Sequence, residues 1–212
     1  MEESDKNHVF TQEYWDDRYA THDHVWSGRP NPRLVEHTAD LPPGLALDVG
    51  CGEGADVVWL AERGWRATGA DLSVVALEKA RKHAGEAGVA DRTDWVHVDL
   101  VAGDPLPVAA DLVSAMYVHV PEAEFDRIYT AVAAAVRPGG TLLVAGHHPA
   151  ERHTDLRNPH LSHLLFPPER VTSLLADGWE IDVADARTRD VLGHDGEPRV
   201  ATDTVVVARR VT

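Results

Sequence analysis

The run Asp48-Val49-Gly50-Cys51-Gly52-Glu53-Gly54 sets three glycines at alternate positions between acids. Glycine lets a backbone turn sharply and approach a ligand closely. The spacing Gly50-x-Gly52-x-x-Ala55 also fits the loose dinucleotide fingerprint, so the glycines alone leave the ligand open. Asp71 lies 21 residues beyond Gly50, where a carboxylate can accept from both hydroxyls of a ribose. Asp99 is an acceptor of the kind that reads an adenine amino group. His119 and His147 can take a proton from a hydroxyl, thiol or amine near neutrality, so each is a candidate general base. Cys51 invites a nucleophile reading, but a small side chain between glycines fits the loop without one, and no histidine adjoins it.

These residues need a scaffold that brings them together. From Leu45 onward short apolar runs alternate with longer amphipathic ones, the pattern of βαβ units in a parallel sheet. Strands are expected at Leu45–Val49, Arg66–Ala70, Asp94–Val98, Asp111–Met116 and Thr141–Ala145. Helices are expected at Glu53–Arg63, Ser73–Ala87, Pro121–Val136 and Pro167–Ala176, with Arg137-Pro138-Gly139-Gly140 as a turn. Trp179–Ala184 and Thr204–Ala208 have no helical pattern between them and should pair as an antiparallel hairpin. Asp48, Asp71, Asp99, His119 and His147 then fall at or just beyond strand carboxyl ends, where open α/β sheets bind ligands. Residues 1–44, with Tyr14, Trp15, Tyr19 and Trp26, are too aromatic for a disordered tail. They are expected to form a helix-and-loop cap, with residues 45–212 as the sheet domain.

Charge narrows the ligand. A dinucleotide would bring its pyrophosphate beside Asp48 and Glu53, and a like-charge contact at ~4 Å costs about 4 kcal/mol at an effective dielectric of ~20. An adenosine cofactor with cationic groups reverses that sign. S-adenosylmethionine carries a sulfonium and an ammonium and has no phosphate.

Leu47-Asp48-Val49-Gly50-Cys51-Gly52-Glu53-Gly54, Gly69-Ala70-Asp71-Leu72-Ser73, Val98-Asp99-Leu100 and Arg137-Pro138-Gly139-Gly140 together resemble a class I S-adenosylmethionine-dependent methyltransferase. Leu60-Ala61-Glu62-Arg63-Gly64-Trp65 and the helix after Phe166-Pro167 resemble the small-molecule branch with the tellurite-resistance and thiopurine methyltransferases. The resemblance implies a doubly wound, mostly parallel α/β sheet of seven strands in the order 3-2-1-4-5-7-6, strand 7 antiparallel. It implies that Asp48, Gly50, Cys51, Gly52 and Gly54 hold the methionine end. Asp71 would take the ribose hydroxyls with Leu72 against the adenine, and Asp99 with Leu100 would read the adenine edge. Met116 would face the methionine part, and Trp15, Trp26 and Arg33 would close over the cofactor, Arg33 toward its carboxylate. The implied reaction moves the methyl group to a small-molecule S, O, N or chalcogen nucleophile. A protein of the same fold that binds the cofactor without catalysis, or uses it for another reaction, is the alternative.

Composition removes other classes. The 212 residues carry 20 basic and 35 acidic side chains, a net charge of −15, with only Lys6, Lys79 and Lys82 as lysines. Nucleic acid and anionic membranes need a dense cationic face. A short-chain dehydrogenase needs Tyr-x-x-x-Lys, but Tyr117 and Tyr129 lead to Pro121 and Ala133. An amino-group nucleic-acid methyltransferase would carry Asn/Asp-Pro-Pro-aromatic where this chain has Met116-Tyr117-Val118-His119-Val120-Pro121. His147, His148, His153 and Asp155 lack the helical i, i+4 pair or a cysteine partner, so no metal is expected. The polar Met1–His8 start, a single cysteine and no run of ~20 apolar residues make the expectation a cytoplasmic protein, monomer or homodimer.

Overall fold

The computed structural model describes residues 8–22, 24–107, 109–156, 159–193 and 195–211. Residues 1–7, on which most of the reading of the N-terminus rests, lie outside that set, as does the side chain of His160. The elements in chain order are α1 (Gln12–Ala20), α2 (Pro32–Thr38), β1 (Leu45–Val49), α3 (Ala55–Glu62), β2 (Arg66–Asp71), α4 (Val74–Glu86), β3 (Thr93–His97) and β4 (Ala110–Met116). They continue with α5 (Phe125–Ala134), β5 (Val136–His147), α6 (Pro168–Thr172), β6 (Trp179–Leu192) and β7 (Pro198–Arg210), with short 3-10 turns between.

Among the described residues the seven strands form one sheet in the order β3-β2-β1-β4-β5-β7-β6, and β7 runs antiparallel to both neighbours. This is the order and orientation expected. Strand side chains alternate between faces, and the core divides accordingly. Leu47, Val113, Leu142, Val144 and Val206 pack with Phe125, Ile128 and Val132 of α5. Ala46, Leu112, Leu143 and Val205 pack on the opposite face with Leu34 of α2, Val57 and Leu60 of α3, and Leu77 of α4. With both faces covered, the central strands read as nearly continuous apolar runs.

Several boundaries differ from the sequence expectation for identifiable reasons. α3 starts at Ala55 because Gly54 sits in the left-handed region at φ 82°, a backbone that cannot continue into the helix from Glu53. Glu122–Glu124 form a 3-10 turn and the α-helix begins only at Phe125. Arg137–Gly140 lie within β5: Val136 pairs with Ala110, the ladder shifts register, and Thr141 resumes opposite Leu112. β6 and β7 run beyond the expected Ala184 and Thr204 because their backbone ladder continues unbroken to Leu192 opposite Pro198, with Ala201 and Asp203 buried along it. α6 ends at Thr172, four residues short of Ala176.

The parallel registers align the carboxyl ends. Val49 pairs with Ala70 and Ala115, Asp71 with His97, and Met116 with Ala145. Antiparallel β7 brings its beginning to that same edge, with Asp203 opposite His147.

Candidate active site

The carboxyl edge opens into a cavity of about 1110 Å³, lined by the glycine loop, the ends of β1–β5 and the N-terminal segment. The loop between β1 and α3 is anchored on the end of β2. Gly50 and Cys51 donate their N–H groups to Ala70 O at 2.8 and 3.1 Å, and Gly52 N donates to Asp71 Oδ2 at 2.8 Å. A Cβ on Gly52 would meet the Tyr19 hydroxyl at 2.8 Å; on Gly54 it would meet Trp95 at 2.5 Å and Ala80 at 2.8 Å. Both also have positive φ, so backbone and space together require glycine there.

The acids of this edge do different things. Asp48 is buried and accepts from Ser114 Oγ at 2.6 Å. Burial first, then the neighbouring Asp56 carboxylate, pushes its carboxyl well above the usual range. Asp56, in the first turn of α3, accepts from Asn31 N at 2.6 Å and is pushed up to about 6 by burial. Asp71 is also raised by burial, against the pull of Ser73 N at 2.8 Å on Oδ1 and Gly52 N on Oδ2. Glu53 belongs to the cap: Oε2 accepts from the N–H groups of Val25 and Trp26 at 3.1 and 3.2 Å, and Oε1 pairs with Lys79 at 3.2 Å. Its charge is satisfied within the protein. Asp99 lines the cavity and holds its own turn, accepting from Ala102 N at 2.9 Å.

Asp48, Gly50, Cys51, Gly52, Gly54, Asp71, Leu72, Asp99, Leu100, Met116, Trp15 and Trp26 all line this one cavity. Cys51 is buried, and burial followed by the Asp71 charge pushes its thiol up, against the nucleophile reading. α1 covers the loop because Asp16 accepts from Ser73 Oγ at 2.6 Å and Val75 N at 3.2 Å, capping α4 from another segment. Trp26 donates from Nε1 to Tyr19 Oη at 2.9 Å, and Arg18 lies over the rings of Trp15 and Trp26.

Arg33 does not meet its expectation, and the reason is that its guanidinium is occupied elsewhere. Nε pairs with Asp203 at 3.3 Å, Nη1 with Glu36 at 3.0 Å, and Nη2 donates to the carbonyls of Arg187 and Thr188. It fastens α2 to the β6–β7 hairpin and is not part of the cavity wall.

The β4 and β5 ends supply the other half of the cavity. Among the described residues Tyr117 alone has positive φ (57°) without being glycine, a strained backbone of the kind kept at functional sites. His147 packs between Tyr117 and His119, with ring centroids 4.6 and 5.0 Å away. His119 Nδ1 lies 2.9 Å from Tyr117 O; since a carbonyl only accepts, Nδ1 carries the proton in the neutral ring and Nε2 keeps the lone pair. Phe166 continues the stack from His119 toward Phe125 and Tyr129.

Four contributors escaped the sequence reading: Asp56, Tyr117, Arg189 and Asp203. Asp203 is fully buried and pairs with Arg189 Nε at 2.9 Å. The signal for it was present in an acid flanked by threonines inside the apolar run Ala201-Thr202-Asp203-Thr204-Val205. Among the described residues no cluster of three or more His, Cys, Asp or Glu could hold a metal ion, and no helix is long and apolar enough to cross a membrane.

Residues 46–140 match the methyltransferase domain family. A ubiquinone biosynthesis O-methyltransferase from Marinobacter nauticus (strain ATCC 700491 / DSM 11845 / VT8) is 30% identical over 169 residues, 76% of this chain and 67% of that protein. One from Idiomarina loihiensis (strain ATCC BAA-735 / DSM 15497 / L2-TR) is 38% identical over 111 residues, 51% of this chain and 44% of that protein. The chain spans about half the length of several of the curated relatives it matches. The crystal structure of TehB from Haemophilus influenzae superposes with a TM-score of 0.71 at 15% identity, covering 94% of this chain and 66% of that one, which is a likeness of fold. Sheet order, glycine loop and sequence relationship agree: this chain belongs to the class I S-adenosylmethionine-dependent methyltransferases.

Proposed function

We propose that this protein transfers the methyl group of S-adenosylmethionine to a small-molecule nucleophile carrying sulfur, oxygen, nitrogen or another chalcogen. One observation carries the reading: three desolvated carboxylates, Asp48, Asp56 and Asp71, line the same cavity as a glycine loop. A buried carboxylate is costly unless something compensates its charge, and a sulfonium and an ammonium supply that compensation. The glycine loop with Asp48 would hold the methionine end, Asp71 the ribose, and Leu72, Asp99 and Leu100 the adenine. Met116 ends β4 next to the place of the methyl group. When bound, S-adenosylmethionine supplies an electrophilic methyl whose positive charge disappears as the thioether leaves.

The chain's own task is to align the acceptor, exclude water and, for acceptors that enter protonated, remove a proton. His119, its Nδ1 fixed on Tyr117 O, is the base we assign, with His147 stacked against it. The segment 1–44 acts as a cap over the sheet domain 45–212, Trp15 and Trp26 closing above the loop. A cytoplasmic setting, with which the single free, buried thiol agrees, and a monomeric or homodimeric state complete the proposal.

The test is transfer of labelled methyl from S-adenosylmethionine to a panel of thiols, chalcogen anions, phenols and amines. Labelled product with one class supports the reading; cofactor binding without transfer to any class overturns it. Asp71→Asn should weaken S-adenosylhomocysteine binding about tenfold. Asparagine keeps one side-chain acceptor oxygen in place of two, already claimed by the Gly52 or the Ser73 N–H, so a ribose hydroxyl loses its acceptor, and an unmade buried bond costs ~1–3 kcal/mol. A dissociation constant unchanged within twofold, read by titration calorimetry, would remove Asp71 from the cofactor site.

A further inference from the structure

The acids of the cavity lie at one end of it. Its acidic lining residues, Asp48, Glu53, Asp56, Glu62, Asp71 and Asp99, come from β1, the glycine loop, α3 and the ends of β2 and β3; Glu53 is paired with Lys79, and Arg18 and Arg29 from the N-terminal segment also line the cavity. The half formed by the ends of β4 and β5 and the segment before α6 contributes no acid among the described lining residues. It contributes His119, His147, a wall of Leu161, Leu164 and Leu165, and one guanidinium, Arg189.

Arg189 is held in place from behind. Its Nε donates to both oxygens of Asp203, at 3.2 and 2.9 Å. Asp203 is fully buried and shares its single charge between Arg189 and Arg33, so Arg189 has less than a full counter-charge. The bonds to Asp203 use Nε and do not consume the terminal Nη1 and Nη2 donors, the pair that forks onto a carboxylate. The guanidinium carbon also lies 5.9 Å from the ring centroid of Tyr117, the residue with the strained backbone beside His147. The Tyr117 hydroxyl is a further partner of Arg189, and burial keeps that hydroxyl protonated, so it adds no counter-charge. Arg189 is about one-third exposed at its side chain, so a ligand in the cavity can reach it. An arginine that were only a strut between β6 and β7 would have no need of a place in the cavity wall.

From this arrangement, and resting on the methyltransferase reading above, we infer that the acceptor is an amphipathic organic acid. Its anionic group is held by Arg189 and its apolar body lies against Leu161, Leu164 and Leu165. The nucleophilic atom then projects from the body toward the methyl, past the stacked His119 and His147. The anionic group stays at the end of the cavity away from the carboxylates, so a reversed orientation is electrostatically disfavoured.

A matched pair of probes separates this from a generic apolar pocket. 4-Mercaptobenzoate and its methyl ester share ring and thiol and differ in the charge. Each is titrated into the full chain saturated with S-adenosylhomocysteine. The acid should bind at least about tenfold more tightly than the ester, the scale of one charge-assisted bidentate contact. In Arg189→Gln the two affinities should converge to within about twofold, and Arg189→Lys should recover part of the difference. Equal binding of acid and ester by the wild-type chain, binding of neither, or an unaltered acid preference in Arg189→Gln would overturn the inference. Failure of the parent reading is distinct: the wild-type chain would then not bind S-adenosylhomocysteine in the first titration. The melting temperature of Arg189→Gln identifies a variant that has merely lost its fold, and Arg189→Lys then carries the comparison.

Discussion

Replacing His119 with alanine is expected to slow methyl transfer to a phenol or a protonated amine about a hundredfold near neutral pH, the lower end of what a positioned general base contributes. The Nδ1 bond to Tyr117 O fixes which nitrogen has the lone pair, so the imidazole is oriented before any acceptor arrives. A thiolate needs no base, and with a thiophenol that enters deprotonated the same substitution should cost only several-fold. The split between acceptors is the signature of a base. A uniform loss with both would describe a packing role, and no loss with the phenol would remove His119 from the chemistry. His147 stacks on both Tyr117 and His119, so His147→Ala should lower the rate less and shift the pH profile by loosening its neighbour.

The second large effect is on stability, and its sign runs against habit. Most buried acids of proteins are stabilising as carboxylates; Asp56 is raised to about 6 from 3.8 by burial. A carboxyl whose folded pKa lies above its unfolded value favours the folded state at low pH. That contribution is fully present below about 4 and is lost as pH rises through about 6. The interval from 3.8 to about 6 corresponds to on the order of 3 kcal/mol. Asp56→Asn keeps an oxygen for the Asn31 N–H and removes the charge. Without ligand, the variant should therefore be more stable than wild type at about pH 7.5 and indistinguishable from it at about pH 4. Asp16 and Glu36 are shifted downward and act in the opposite sense, but they are common to both proteins and drop out of the difference; Asp48, raised in part by the Asp56 carboxylate, is relieved in the variant, which adds to its gain at the higher pH. With a cationic cofactor the order should reverse, because wild type regains the lost stability on binding and the variant gains less. Urea denaturation of both proteins at the two pH values, with and without S-adenosylmethionine, checks this. A variant less stable than wild type at the higher pH without ligand would contradict it.

The sheet was legible because its central strands are buried on both faces and therefore apolar, while the final pair lacked a crossover helix. The glycine loop was legible too, since Gly52 and Gly54 combine left-handed backbone with neighbours too close for a side chain. What stayed hidden depends on long-range register. Asp203 reaches the ligand edge only because β7 runs against β5 and pairs it with His147, a register no local pattern encodes. Arg33 illustrates the converse. Its position ahead of β1 suggested the cofactor, but its four acceptors come from Glu36 and from residues beyond 186, which a local reading cannot weigh. Glu53, read as one of the acids around the ligand, is neutralised by Lys79 and two backbone donors from the cap. Charge that looks available in a sequence can be spoken for within the fold.

The carboxylate-lined cavity is expected to hold a cationic adenosine cofactor, and titration calorimetry of the full chain with S-adenosylmethionine at neutral pH measures that directly. One cofactor should bind per chain with affinity that weakens as the pH is lowered through about 6, where Asp56 takes up its proton. No heat of binding, or an affinity indifferent to that pH interval, would contradict the assignment of this cavity.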